Sequence, residues 1–222
     1  MAEEDGTWVY YNRDGERATE QWKKSGNNWY WLNSDGEMAI DELIQDGDNY
    51  YYVDINGVMA ANQWVAIDNE DAGQDDEPDH YWYYFQANGK ALKNGDNSKV
   101  ALKTVNGKKY AFDDEGRMLF GWVSADNAER IDNTDGDGFK EGDYYFGGED
   151  DGAMTVGWLQ MDITYDEATS DYEIAPVFND DEDRPVGSIS SPMVRKSKLR
   201  MVIHRRAKPL MVKSMNLISM VQ

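Results

Sequence analysis

The chain has 222 residues, with 43 Asp+Glu against 22 Lys+Arg and a formal net charge of −21, a balance that argues against nucleic acid or an anionic membrane as partner. The absence of Cys excludes a disulfide framework, a thiolate nucleophile and a Cys-ligated metal. Eight Trp, 14 Tyr and 6 Phe are too many for a plain disordered acidic chain, and no run is long and apolar enough to span a bilayer.

The chain opens on MAEEDG, which is acidic and polar and is not read as a signal peptide. A repeat follows at once. Gly15, Gly36 and Gly57 are 21 residues apart, as are Trp8, Trp29 and Tyr50, and Trp22, Leu43 and Trp64. The units read WVYYNRDGERATEQW, WYWLNSDGEMAIDEL and YYYVDINGVMAANQW. Looser copies follow as WYYFQANGKAL from Trp82, KYAFDDEGRMLFGW from Lys109 and YYFGGEDDGAMTVGW from Tyr144. Each unit is an aromatic run, a turn dipeptide and a second short segment. Asp14-Gly15, Asp35-Gly36, Asn56-Gly57 and Asn88-Gly89 supply the positive φ of tight turns, and aromatic and β-branched residues suit strands. Each unit is therefore expected to be one β-hairpin. A lone hairpin is marginal in water, whereas stacked hairpins share a core as a solenoid.

A strand alternates its faces. Of the four positions before each turn, the second and fourth are Val9 and Tyr11, Tyr30 and Leu32, Tyr51 and Val53, Tyr83 and Phe85, and Tyr110 and Phe112. They are apolar throughout and are expected to form the core. The first and third are Trp8 and Tyr10, Trp29 and Trp31, Tyr50 and Tyr52, and Trp82 and Tyr84, but Lys109 and Ala111 in the fifth unit. A face that loses both aromatics is the better candidate for a ligand-facing surface.

The segments GNNWYWLNSDGEMA, GDNYYYVDINGVMAANQW and GRMLFGW resemble the cell-wall-binding repeats of Gram-positive surface proteins. That family includes choline-binding modules of wall hydrolases and glucan-binding repeats of glucosyltransferases and large toxins. The resemblance covers about residues 6–160. It implies a β-hairpin solenoid that binds, without catalysis, the choline of cell-wall teichoic acid or a polysaccharide, in a secreted or wall-associated parent protein. A glucan or carbohydrate-receptor array, or the remnant of a wall hydrolase, are the alternatives it leaves open. By analogy with the cages of the choline-binding branch, it implies sites at Trp22 with Trp29 and Trp31, at Trp8 with Tyr10, and at Trp64 with Tyr50 and Tyr52. Trp82 and Tyr84 are further candidates on the same face. A quaternary ammonium cannot hydrogen-bond, so aromatic faces are its natural host. Leu43 stands where the second unit lacks its later Trp, which leaves one cage incomplete.

Three acidic stretches, 66–79, 125–143 and 161–183, read as spacers between units. DNTDGDG does not fit a calcium loop: counted from Asp132, position 5 is Gly136 and position 12 is Asp143. Neither His80, at the start of a strand, nor His204 belongs to a credible triad, and no carboxylate pair stands out, so no catalytic residue, metal site or cofactor is expected.

From Val186 onward there is no Asp, Glu or aromatic residue, and eight Lys+Arg. Residues 1–185 thus hold 14 Lys+Arg against all 43 Asp+Glu, a formal charge of −29. A shifted reading frame accounts for the change. Met is only ATG and every Val codon begins GT, so each Met-Val pair hides a Gly codon. The hidden glycines fall at 193, 201, 211 and 220; three of the four, at 193, 211 and 220, are separated by 18 and 9, as are Gly89, Gly107 and Gly116. The expected organisation is an all-β array of stacked hairpins over residues 1–185, followed by a frameshifted, poorly structured basic tail over residues 186–222.

Overall fold

The computed structural model describes residues 1–74, 77–95, 99–131, 138–156, 161–166 and 171–176. The boundary expected at residue 185 and the basic tail lie outside these, as do residues 132–137 of the acidic DNTDGDG stretch. The protein is all-β, built of paired strands in succession, with one helical turn among the described residues, α1 (Gly138–Glu141). Two compact units divide it.

The first unit comprises Met1–Asp68, His80–Lys93 and Glu115–Arg117. It holds four antiparallel hairpins. These are β1 (Ala2–Glu4) with β2 (Thr7–Val9), β3 (Gln21–Ser25) with β4 (Asn28–Leu32), β5 (Glu42–Asp46) with β6 (Asn49–Val53), and β7 (Gln63–Asp68) with β8 (His80–Phe85). The ladders differ in phase from the hairpins expected of the sequence. Each joins the second segment of one unit to the aromatic run of the next, so Trp22 lies opposite Trp31, Leu43 opposite Tyr52 and Trp64 opposite Tyr84. Turns at Gly6, Gly26 and Gly47, all with positive φ, close the first three of these ladders.

Gly15, Gly36, Gly57 and Gly89 also have positive φ, but the chain makes only a single bridge across each of their turns, such as Leu32 to Met38 and Val53 to Met59. A polar cap accounts for this. The Oδ1 atoms of Asn12, Asn33 and Asp54 each accept two backbone N–H bonds from across the turn, at 2.8–3.0 Å. The chain leaving the turn then bonds to two hairpins at once. Met38 N–H donates to Trp8 O and Ala39 N–H to Trp31 O; Met59 N–H donates to Trp29 O and Ala60 N–H to Tyr52 O. These bonds tie each hairpin to the one before it, which is the stacked arrangement a repeat array requires.

The fourth-position side chains Leu32, Val53 and Phe85, together with second-position Val9, are completely buried, and Ala18, Ala39 and Ala60 pack between the hairpins. Tyr11, expected in the core, is 41% exposed instead and donates to Glu4 at 2.9 Å. The β1–β2 ladder ends where Val9 meets Ala2, and Tyr11 lies beyond it with only a single bridge to Arg17.

The second unit comprises Asn69–Asp79, Asn94–Asp114 and Met118–Gln222. Its described strands are β9 (Lys103–Val105) paired with β10 (Lys108–Tyr110), β11 (Trp122–Val123) flanked by β12 (Arg130–Ile131) and β13 (Tyr144–Tyr145), and β14 (Met161–Asp166) paired with β15 (Asp171–Pro176). Ala111 belongs to its core, fully buried with Leu119, Val123 and Phe146. This corrects the reading of the third position as ligand-facing in the fifth unit: a side chain as small as Ala lets the neighbouring apolar groups close over it.

The acidic spacers carry more structure than expected. Ala66–Asp68 complete β7, residues 125–143 contain β12 and α1, and Met161–Asp166 forms a six-pair ladder with Asp171–Pro176. The alternation in MDITYD and DYEIAP, which pairs Ile163 with Ile174 and Tyr165 with Tyr172, is the period-two signal of a strand.

Candidate aromatic binding site

The strongest aromatic constellation stands on β3, β4 and β6. Trp22 and Trp31 are cross-strand neighbours with ring centroids 5.3 Å apart at 60°. Tyr51, from the next hairpin, approaches Trp22 at 5.0 Å and 57°. The three half-buried rings pack against the core of Ala39, Ile44 and Val53. Their tilt makes them adjoining walls and not a parallel stack. Trp22 Nε1 donates to Asp46 Oδ2 at 3.2 Å, which brings a carboxylate to the edge of the group. Burial, with the added charge of Asp46, pushes the Tyr51 hydroxyl pKa up, so the ring stays neutral. Two π-faced indoles, a phenol and a carboxylate together suit an organic cation.

The expected residues divide differently from the expected groups. Trp22 and Trp31 meet. Trp29, two residues along the same face, is 41% exposed and lies opposite Lys24, with the ammonium 5.9 Å from its ring. Trp8 is 44% exposed and opposite Glu3. Tyr10 has the Lys23 ammonium over its ring at 4.9 Å. Trp64 is paired with Tyr84, at 5.2 Å and 63°, and not with Tyr50 or Tyr52 as strand partners. Tyr50 lies opposite Gln45, under Lys93 at 5.8 Å. Tyr52 stacks near Phe85 at 6.1 Å and donates a short bond to Asp41. Burial first, and that bond second, push the Tyr52 hydroxyl up to about 12. Trp82 meets His80 edge-on at 5.5 Å.

Tyr51 and Asp46 were not among the expected site residues. Tyr51 sits at a second position, and strand alternation assigns it to the core. It reaches Trp22 because the core-facing side of one hairpin covers the first- and third-position side of the hairpin before it. Asp46 lies in a segment that reads as one more acidic residue among many. In the second unit Trp122 and Tyr145 repeat the cross-strand pair, at 5.0 Å, but both are 2% exposed. Burial raises the Tyr145 hydroxyl pKa far above its ordinary value, and this pair has no face open to a ligand.

Comparison with known proteins bears on this geometry. Residues 18–64, which hold Trp22, Trp31 and Tyr51, match the choline-binding repeat family model. A choline-binding domain from Streptococcus pneumoniae shares 31% identity over 41% of this chain and 90% of that one, with a TM-score of 0.31. Choline-binding protein F of the same organism shares 22% identity over 86% of this chain and 54% of its own, with a TM-score of 0.47. The modular autolysin LytC of Streptococcus pneumoniae, solved with a synthetic peptidoglycan ligand, shares 23% identity at a TM-score of 0.45. It matches over 75% of this chain, which spans only 30% of the length of LytC. No curated protein matches the chain. The family model over the best-formed repeats agrees with the repeat read from the residues: residues 18–64 carry choline-binding repeats.

Proposed function

We propose that the array is a non-catalytic module that holds its parent protein on a choline-bearing cell-wall polymer, and that Trp22, Trp31 and Tyr51 form its principal site. The observation that carries this reading is the three-ring cluster closed by Asp46. A quaternary ammonium gains about 0.5–2 kcal/mol per aromatic contact, and the carboxylate adds charge that a neutral sugar would not use. The formal charge of −29 over residues 1–185 also favours a cationic ligand group. One such site is weak, and repetition along a polymer supplies avidity. The remaining expected residues, Trp8, Tyr10, Trp29, Tyr50, Tyr52, Trp64, Trp82 and Tyr84, are proposed as secondary contacts.

A glycan reading has one observation in its favour: Trp8 and Trp29 present exposed rings outside the cluster, 44% and 41% accessible, of the kind on which sugar C–H faces stack. Intrinsic Trp fluorescence titrated with choline and with glucan oligosaccharides tests the two. Saturable quenching by choline that is weakened or lost in Trp31→Ala supports the choline reading. A response to glucan alone supports the other. Turnover of wall fragments by this chain would overturn the non-catalytic assignment.

A further inference from the structure

The 21-residue repeat aligns Lys23 with Ile44 and Val65, and Tyr10 with Trp31 and Tyr52. The later pairs are apolar. Ile44 is 4% exposed and belongs to the core against which Trp31 packs, and Val65 packs into the cluster that also receives Tyr52. At the first position of this series the chain has an ammonium instead. It reaches from β3 to the ring of the preceding hairpin and stands 4.9 Å from the Tyr10 centroid. Lys23 as a residue is half-buried. Among the described residues Lys23 makes no ion pair; its partner is the π-face of Tyr10. Lys24 over Trp29 is different, being a cross-strand neighbour within one hairpin. No ammonium or guanidinium among the described residues lies over Trp22, Trp31 or Tyr51.

We propose that Lys23 is a built-in occupant of the aromatic site at Tyr10, filling with its own ammonium the place that a ligand's quaternary ammonium would take, and so limits binding by the first unit to later aromatic clusters. Lys23 is thus a specificity-determining residue: it sets how many cations the array accepts. The proposal rests on the choline reading of the array.

Two measurements on the full chain test it. The first needs no ligand. Ring currents from Tyr10 shift the Lys23 εCH2 protons upfield in the NMR spectrum, and Tyr10→Leu returns them to ordinary lysine positions. The second is a calorimetric titration with choline. Lys23→Ile, which restores the apolar residue of the later repeats, gains one site over the natural chain, and adding Tyr10→Leu removes it again. Lys23→Gln, which keeps the length and removes the charge, serves if the isoleucine variant does not fold. Unshifted Lys23 protons, or variants that bind choline with the natural stoichiometry, overturn the proposal. A natural chain that binds no choline at all sinks the reading of the array. One that binds through Trp31 while Lys23→Ile gains nothing sinks only the role of Lys23.

Discussion

Trp22 and Trp31 owe their meeting to register: five cross-strand pairs hold β3 against β4, and the Trp pair is one of them. Tyr51 adds the third wall from the next hairpin. Replacing Trp31 with Ala removes one cation–π contact and is expected to weaken choline binding roughly 2- to 30-fold, measured by fluorescence titration. Tyr52 gives a second expectation. Its hydroxyl is pushed up to about 12 by burial and by the bond to Asp41, against an ordinary value of 10.0. The folded state therefore favours the neutral phenol. The stabilisation is complete below pH 10 and is lost as pH rises toward 12, because ionised Tyr52 would face the Asp41 carboxylate. Denaturant unfolding followed between pH 9 and 12 should show this loss in the natural chain and a smaller one in Tyr52→Phe. The aromatic periodicity made Trp22 and Trp31 legible in the sequence as candidates. Tyr51 was not legible, because strand alternation speaks only of faces within one hairpin and says nothing of which face the next hairpin covers.

The glycine turn is the element that couples the hairpins. Gly57 has a φ of +74°, and a Cβ there would meet Met38 Cε at 2.8 Å and the Ala39 carbonyl at 3.0 Å. Gly57→Ala therefore combines a left-handed backbone penalty with a collision against the preceding repeat. It is expected to lower stability by about 2 kcal/mol or more, seen as a fall in the thermal unfolding midpoint. Gly47→Ala makes the comparison: its φ is +60°, but no atom lies within 4 Å of the added carbon, so its cost should be the backbone term alone. Repeat spacing and turn residues made the strands and turns legible. The phase of the hairpins was not, since both Gly turns of each unit fit a tight reversal, and the Asn12, Asn33 and Asp54 caps decide which of them ends in a single bridge. The ladder of β14 and β15 was hidden for another reason: its acidic residues alternate with apolar ones, so composition suggested a spacer where period suggested strands.

For the whole molecule, the array is a succession of weakly self-sufficient hairpins whose stability comes from their neighbours. A ligand that binds the folded array raises its apparent stability by mass action. Choline at a hundredfold excess over its dissociation constant should add about 2.7 kcal/mol per saturated site. The change at residue 186 belongs to the same scale. The frame-shift proposal expects the coding DNA, read in the alternative frame beyond that point, to contain another aromatic-rich repeat around the Gly codons that the Met-Val pairs already fix; a frame without the aromatic codons contradicts it. The central claim is tested most directly by a Trp fluorescence titration of the natural chain and of Trp31→Ala with choline, alongside glucan oligosaccharides. Saturable quenching by choline that Trp31→Ala weakens or abolishes, with no glucan response, is the predicted result. No choline response in the natural chain, or one untouched by Trp31→Ala, would contradict the claim.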